Sequence, residues 1–130
     1  MMKTKLAAFA PTALALAALV AAGAAQAKPH PRNACFYANE VENYAPQGDQ
    51  VVNIRVGVRD VYRFELMSPC PDIRWHESLG LISRGSSLIC SGIDAELVTR
   101  TDIGPRRCPV SHIRKLTPAE ITALPKGARP

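Results

Sequence analysis

The sequence predicts a mainly β fold: a small barrel-like or sandwich domain of five or six antiparallel strands, with one short C-terminal helix and two disulfides. Three observations carry this. Val52, Ile54, Val56 and Val58 alternate with Asn53, Arg55, Gly57 and Arg59, and Tyr62, Phe64 and Leu66 alternate with Arg63 and Glu65. Period-two alternation among β-branched and aromatic residues marks half-buried strands and argues against a helix over 51–67. Four cysteines, Cys35, Cys70, Cys90 and Cys108, follow an apolar N-terminus, and an even count in a small exported domain reads as two bridges. Thr117-Pro118-Ala119-Glu120 is a capping box with proline at the first helical position.

Residues 1–27 have the parts of a cleaved secretory signal. Lys3 and Lys5 give a positive start, Leu6 to Ala25 is rich in Ala and Leu, and Ala25-Gln26-Ala27 is a small-residue cleavage site. Residues 28–34 form a flexible, polar lead-in held extended by Pro29 and Pro31. The domain is expected over 35–124, opening on Cys35-Phe36-Tyr37. Between Asn39 and Gln50 only Val41 and Tyr44 are large and apolar, and the segment ends in the turn signal Ala45-Pro46-Gln47-Gly48-Asp49.

The first hairpin follows, with Gly57-Val58-Arg59-Asp60 as its turn. Ser68-Pro69-Cys70-Pro71-Asp72 ends the second strand, and Asp72 to Glu77 reads as one helical turn. Leu79, Leu81 and Ile82 mark a third strand, closed by Arg84-Gly85-Ser86-Ser87. Leu88-Ile89-Cys90 is a short apolar segment, and Ser91-Gly92 a bulge or bend. Ala95, Leu97 and Thr99 alternate with Glu96, Val98 and Arg100. In the last strand Cys108, Val110 and His112 share one face, with Pro109, Ser111 and Ile113 on the other. Pro109 points to an edge strand. The helix after Thr117 is short, so it must dock through Ile121 and Leu124, and Pro125 ends it. Residues 125–130 are expected as a loose tail.

Lys and Arg total 16 against 11 Asp and Glu, for a net charge of +5. Lys3 and Lys5 leave with the signal, so the mature chain is less basic. Its arginines are scattered and do not interleave with aromatics, which argues against nucleic acid as a partner. No segment after the signal is apolar and long enough to span a bilayer.

No CxxC pair occurs, so neither a zinc site nor a thioredoxin-like redox motif is indicated. Four cysteines allow three connectivities. The nested one, Cys70–Cys90 inside Cys35–Cys108, is the expected pairing. No metal and no cofactor is expected. His76-Glu77 begins a zinc-protease motif, but Gly80 stands where the second histidine would be. Asp72, His76 and Glu77 then read as a solvated loop. Ser111-His112 is poorly placed for a catalytic dyad, because adjacent strand residues face opposite ways. Gly85-Ser86-Ser87 lacks the GxSxG pattern of a nucleophile elbow. Asp94 and Glu96 share a strand face and read as exposed charges near Arg100. Trp75, the single tryptophan, and His76 are the candidate partner contacts.

Several segments recur in one order: Cys35-Phe36, Tyr62-Arg63-Phe64-Glu65-Leu66, Cys70-Pro71-Asp72-Ile73, Ile89-Cys90 and Arg107-Cys108-Pro109-Val110. Ile113-Arg114-Lys115-Leu116-Thr117-Pro118-Ala119-Glu120 closes the series. Over about 35–121 the chain resembles a family of small exported bacterial proteins with four cysteines, classed as a domain of unknown function. That resemblance implies a periplasmic or secreted, disulfide-bonded domain. It implies no activity and no site residue.

The expected function is a non-enzymatic binding or envelope-accessory module, monomeric, whose partner is an envelope protein or a cell-wall component. The alternatives are an inhibitor of a secreted hydrolase, presenting loop 68–78 or 83–87, and a small hydrolase using His76 or His112.

Overall fold

The computed structural model describes residues 35–71, 73–74 and 79–130. The signal, the lead-in, and the expected helical turn with Asp72, Trp75, His76 and Glu77 lie outside the described residues. Among the described residues there are eight strands: β1 (Phe36–Tyr37), β2 (Val41–Pro46), β3 (Val51–Val56), β4 (Asp60–Leu66), β5 (Leu79–Ser83), β6 (Leu88–Ile89), β7 (Ala95–Thr101) and β8 (Gly104–Lys115). The α-helix α1 (Pro118–Ala123) follows β8. Six strands form a curled antiparallel sheet in the order β2-β3-β4-β8-β7-β5, and β1 pairs with β6 beside it. The fold is mainly β, as the alternation predicts.

β8 joins the two halves of the sheet. Its first part pairs with β7, from Thr101↔Gly104 to Glu96↔Pro109, and its second part with β4, from Leu66↔Val110 to Tyr62↔Lys115. Pro109 therefore lies inside the sheet and not on an edge. It is tolerated because it sits where β8 changes partner. There its carbonyl accepts the Met67 amide at 2.9 Å, and the β4–β8 register slips between Glu65 and Leu66. The slip leaves Ser111 opposite no residue, as a β-bulge. A missing N–H costs little where the ladder is already interrupted.

The bulge also changes which residues face inward. Cys108 and Val110 are buried, but the next buried residue is Ile113, and His112 is exposed. The expected shared face of Cys108, Val110 and His112 is thus broken after Val110. The bend expected at Ser91-Gly92 is a 3-10 turn, Gly92–Asp94. It lies against the bulge so closely that a Cβ on Gly92 would overlap the Ser111 carbonyl.

β2 is a strand that the sequence does not reveal. It is an edge strand, so it needs few apolar residues. A register shift between Val41 and Asn43 also interrupts its alternation.

The core lies on one face of the sheet. It takes Val52, Ile54 and Val56 from β3, Tyr62, Phe64 and Leu66 from β4, Leu97 from β7 and Val110 and Ile113 from β8. Phe36 of β1 and Ile89 of β6 close it, with the Phe36 ring 4.6 Å from that of Tyr62. Full burial of such a side chain contributes roughly 1.5–3 kcal/mol.

The opposite face of β4 carries a smaller cluster, in which Val61 packs against Leu116, Leu124 and Ile121. This is where α1 docks, through the two residues expected to dock it. Its capping box forms: the Glu120 amide donates to Thr117 Oγ1 at 3.3 Å, and the Thr117 amide to Glu120 Oε2 at 2.8 Å. The expected loose tail is instead packed. Lys126–Ala128 forms a 3-10 turn with Ala128 buried, and the Ala128 carbonyl accepts from Asn53 Nδ2 at 2.9 Å. Arg129 donates back to the Leu124 and Thr122 carbonyls.

The disulfides are Cys35–Cys90 and Cys70–Cys108, with sequence separations of 55 and 38. They cross and do not nest, so the expected Cys70–Cys90 and Cys35–Cys108 pairing is corrected. Strand pairing gives the reason. Phe36↔Ile89 pairing of β1 with β6 sets Cys35 beside Cys90, with Cα atoms 4.2 Å apart. The chain leaving β4 stays against β8 through Met67 and Pro109, which brings Cys70 to Cys108, 6.0 Å between Cα atoms.

Candidate functional site

The β3–β4 turn, residues 57–59, shapes a cavity of about 420 Å³. Gly57 turns the chain with a φ of 57°, a left-handed conformation that favours glycine. Its amide donates to the Glu40 carbonyl at 2.8 Å, so the 3-10 turn Ala38–Glu40 is fastened to the hairpin. Glu40 is held in turn, because its Oε2 accepts the Tyr37 amide at 2.9 Å. The Cys35 end of its disulfide and Phe36 form one wall, and Val56 and Tyr62 contribute another.

Sheet register supplies the charged part. Asp60 is the first residue of β4 and Lys115 the last of β8, and Tyr62 lies directly across from Lys115. Lys115 Nζ is 2.5 Å from Asp60 Oδ2 and 5.9 Å from the centre of the Tyr62 ring. The bond to Asp60 raises the Lys115 pKa above that of an ordinary lysine. Burial is the main influence on the Tyr62 phenol and raises its pKa, against the lowering effect of Lys115. At neutral pH the cavity therefore holds an ammonium and a protonated phenol. Lys115 is the reverse of an activated amine, which needs a lowered pKa to act as a nucleophile. The arrangement is suited to holding a ligand. A second hollow, of about 430 Å³ at Glu42 and Arg55, shares Gly57 and Val58 with the first but has no aromatic lining.

Of the described residues singled out from the sequence as candidate chemistry, only Cys35 lines this cavity. Trp75 and His76 lie outside the described residues. His112 is exposed and pairs across the sheet with Glu65, and Ser111 Oγ donates to the Glu65 carbonyl at 2.9 Å, so the two make no dyad. Ser86 lies in an exposed turn, its hydroxyl donating to the Leu88 carbonyl at 3.2 Å.

Asp94 and Glu96 have separate roles. Asp94 closes the 3-10 turn by accepting from Ser91 Oγ and from the Ser91 and Cys90 amides, with the Ser91 hydroxyl the main cause of a lowered pKa. Glu96 is buried between Arg84 and Arg107, at 3.3 and 3.2 Å, and not exposed near Arg100. Among the described residues no group of His, Cys, Asp and Glu is arranged to hold a metal, and no helix is long and apolar enough to cross a membrane.

Glu40, Asp60, Tyr62 and Lys115 have no local motif. Asp60 and Lys115 are 55 residues apart in sequence and meet only through the β4–β8 register. Tyr62 alone carried a signal, as an inward position of a predicted strand.

Residues 2–130 match a protein family described as a family of unknown function, DUF6491. No curated protein and no solved structure matches the chain.

Proposed function

The chain belongs to this family of unknown function, DUF6491, and we propose that it is an exported, disulfide-stabilised binding module whose ligand is a small polar cell-wall component held at the β3–β4 cavity. The observation that carries this reading is the cavity's lining. A Lys115–Asp60 pair and a buried phenol stand over an aromatic and aliphatic wall, without an activated nucleophile among them. Small-ligand sites fix their ligand with a few convergent polar groups, over roughly 300–1,000 Å³. A volume of about 420 Å³ lies toward the lower end and suits a fragment better than a protein surface. Two bridges support an oxidising location, periplasmic or secreted.

The test is a titration of the oxidised, isotope-labelled protein with a soluble digest of cell wall, followed by amide chemical shifts. Shifts gathered at residues 57–62 and at Lys115 are the expected result. No shift there, with binding only to an envelope protein at another face, would overturn the proposal.

A further inference from the structure

We infer that the cavity selects a zwitterion, an amino acid or short peptide with both its ammonium and its carboxylate free. This rests on the binding reading above and names the ligand class. The cavity lining carries four charges that sum to zero: Glu40, Asp60, Arg59 and Lys115. Two of them already satisfy each other, since Lys115 Nζ and Asp60 Oδ2 are in contact at 2.5 Å. The other two are left over. Glu40 uses one carboxylate oxygen on the Tyr37 amide, and its other oxygen has no partner among the described residues. Arg59 makes no ion pair and no side-chain hydrogen bond among them.

One carboxylate and one guanidinium, both exposed and without an ion-pair partner among the described residues, thus line a single cavity. A purely anionic ligand would gain Arg59 and be repelled by Glu40, and a purely cationic one would meet the reverse. A ligand with one group of each sign satisfies both, and guanidinium suits a carboxylate in particular because its two parallel N–H groups match the two oxygens. The Tyr62 hydroxyl, protonated at neutral pH, and the Phe36 and Val56 side chains leave room for a short aliphatic side chain or one peptide unit.

The experiment uses the oxidised full chain and four probes: Ala-Ala, its N-acetyl form, its C-terminal amide, and N-acetylglucosamine as a neutral sugar. Binding is read from the amide shifts of residues 57–62 and Lys115. Ala-Ala is expected to bind there, and either cap to weaken it about tenfold or more, the worth of one charge-assisted hydrogen bond. Glu40→Gln keeps an acceptor for the Tyr37 amide. It should weaken Ala-Ala by the same factor, and N-acetylation should then cost nothing further. Arg59→Gln should behave in the same way towards the amide form.

Equal binding of capped and free dipeptides, or shifts with the sugar alone, would overturn the zwitterion inference and leave a binding site. Failure of all four probes and of the cell-wall digest to move these amides would overturn the binding reading as well.

Discussion

Mild reduction of the folded protein should open Cys35–Cys90 before Cys70–Cys108. The two bridges close loops of similar length, with separations of 55 and 38. In the chain-entropy model each then contributes about 4 kcal/mol, so loop length does not set their order of loss. Access does. Cys70 and Cys108 are 1% and 5% exposed inside the main core, whereas Cys35 is half-buried and Cys90 exposed. A reductant thiolate must reach a sulfur to attack it. The six-stranded sheet and the core bridge do not depend on Cys35–Cys90, so the product should remain folded. At roughly 4–8 °C per kcal/mol for a domain of this size, its Tm should fall by on the order of 20 °C. The assay is brief exposure to dithiothreitol, alkylation, peptide mapping and calorimetry of the singly reduced form. Alkylation of Cys70 and Cys108 first, or of all four at one rate, would refute the reasoning. A Cys70–Cys90 peptide in the unreduced sample would refute the connectivity.

Stability should decline in acid. Asp94 and Glu120 have lowered pKa values, Asp94 chiefly from the Ser91 hydroxyl and Glu120 chiefly from the Thr117 amide with Arg114 next. The unfolded chain therefore takes up protons first, and stability is lost from about pH 5 downward, through the lowered folded values. Tm measured against pH should show this slope, flattened in an Asp94→Asn, Glu120→Gln double variant. At the alkaline end Lys115 and Tyr62, both raised, lose their contribution as the pH rises past about 10. Tyr62→Phe should reduce that limb of the Tm curve, because it removes the phenol's titration and the phenol's share of the Lys115 shift. Gly92→Ala should cost roughly 1–3 kcal/mol by driving a methyl group into the Ser111 carbonyl, while Gly127→Ala, with open space around it, should leave the urea midpoint nearly unchanged. Deleting residues 126–130 should cost about 1–3 kcal/mol by stripping Asn53 Nδ2 of its Ala128 acceptor. An unchanged urea midpoint would show that the C-terminal turn only rests on the sheet.

The elements legible in the sequence were those whose signal is local. Alternation in β3, β4 and β7 gave strands, and the Thr117 box gave α1 with its docking residues Ile121 and Leu124. Features that depend on a distant partner were not legible. Asn39 to Gln50 contains too little apolar sequence to announce β2, which exists because β3 offers it an edge. The disulfide pairing depends on β1 meeting β6, two strands of two residues each. The C-terminal turn is stabilised by Asn53, a polar residue of a strand far away in sequence. The candidate site belongs to this second class: of its charged groups, Asp60 lay in a predicted turn and Lys115 just past a predicted strand, and neither had a chemical motif.

The bulge at Ser111 shows how a local irregularity places a distant functional group. Strict alternation from Cys108 and Val110 would send His112 and Arg114 towards the core and Ile113 and Lys115 outward. The extra residue reverses this, so that Ile113 lies across from Phe64 and Lys115 across from Tyr62. A one-residue change of register moves every later side chain of a strand to the other face. Without the bulge, Lys115 would leave Tyr62 and Asp60, and Arg114 would stand across from Tyr62 in its place. The bulge thus decides that an ammonium, and not a guanidinium, stands beside Asp60. Gly92 is what gives the bulge room, because any larger residue overlaps the Ser111 carbonyl. Which cation faces the cavity at one end of the sheet is thus set by a glycine in a turn packed against the middle of β8.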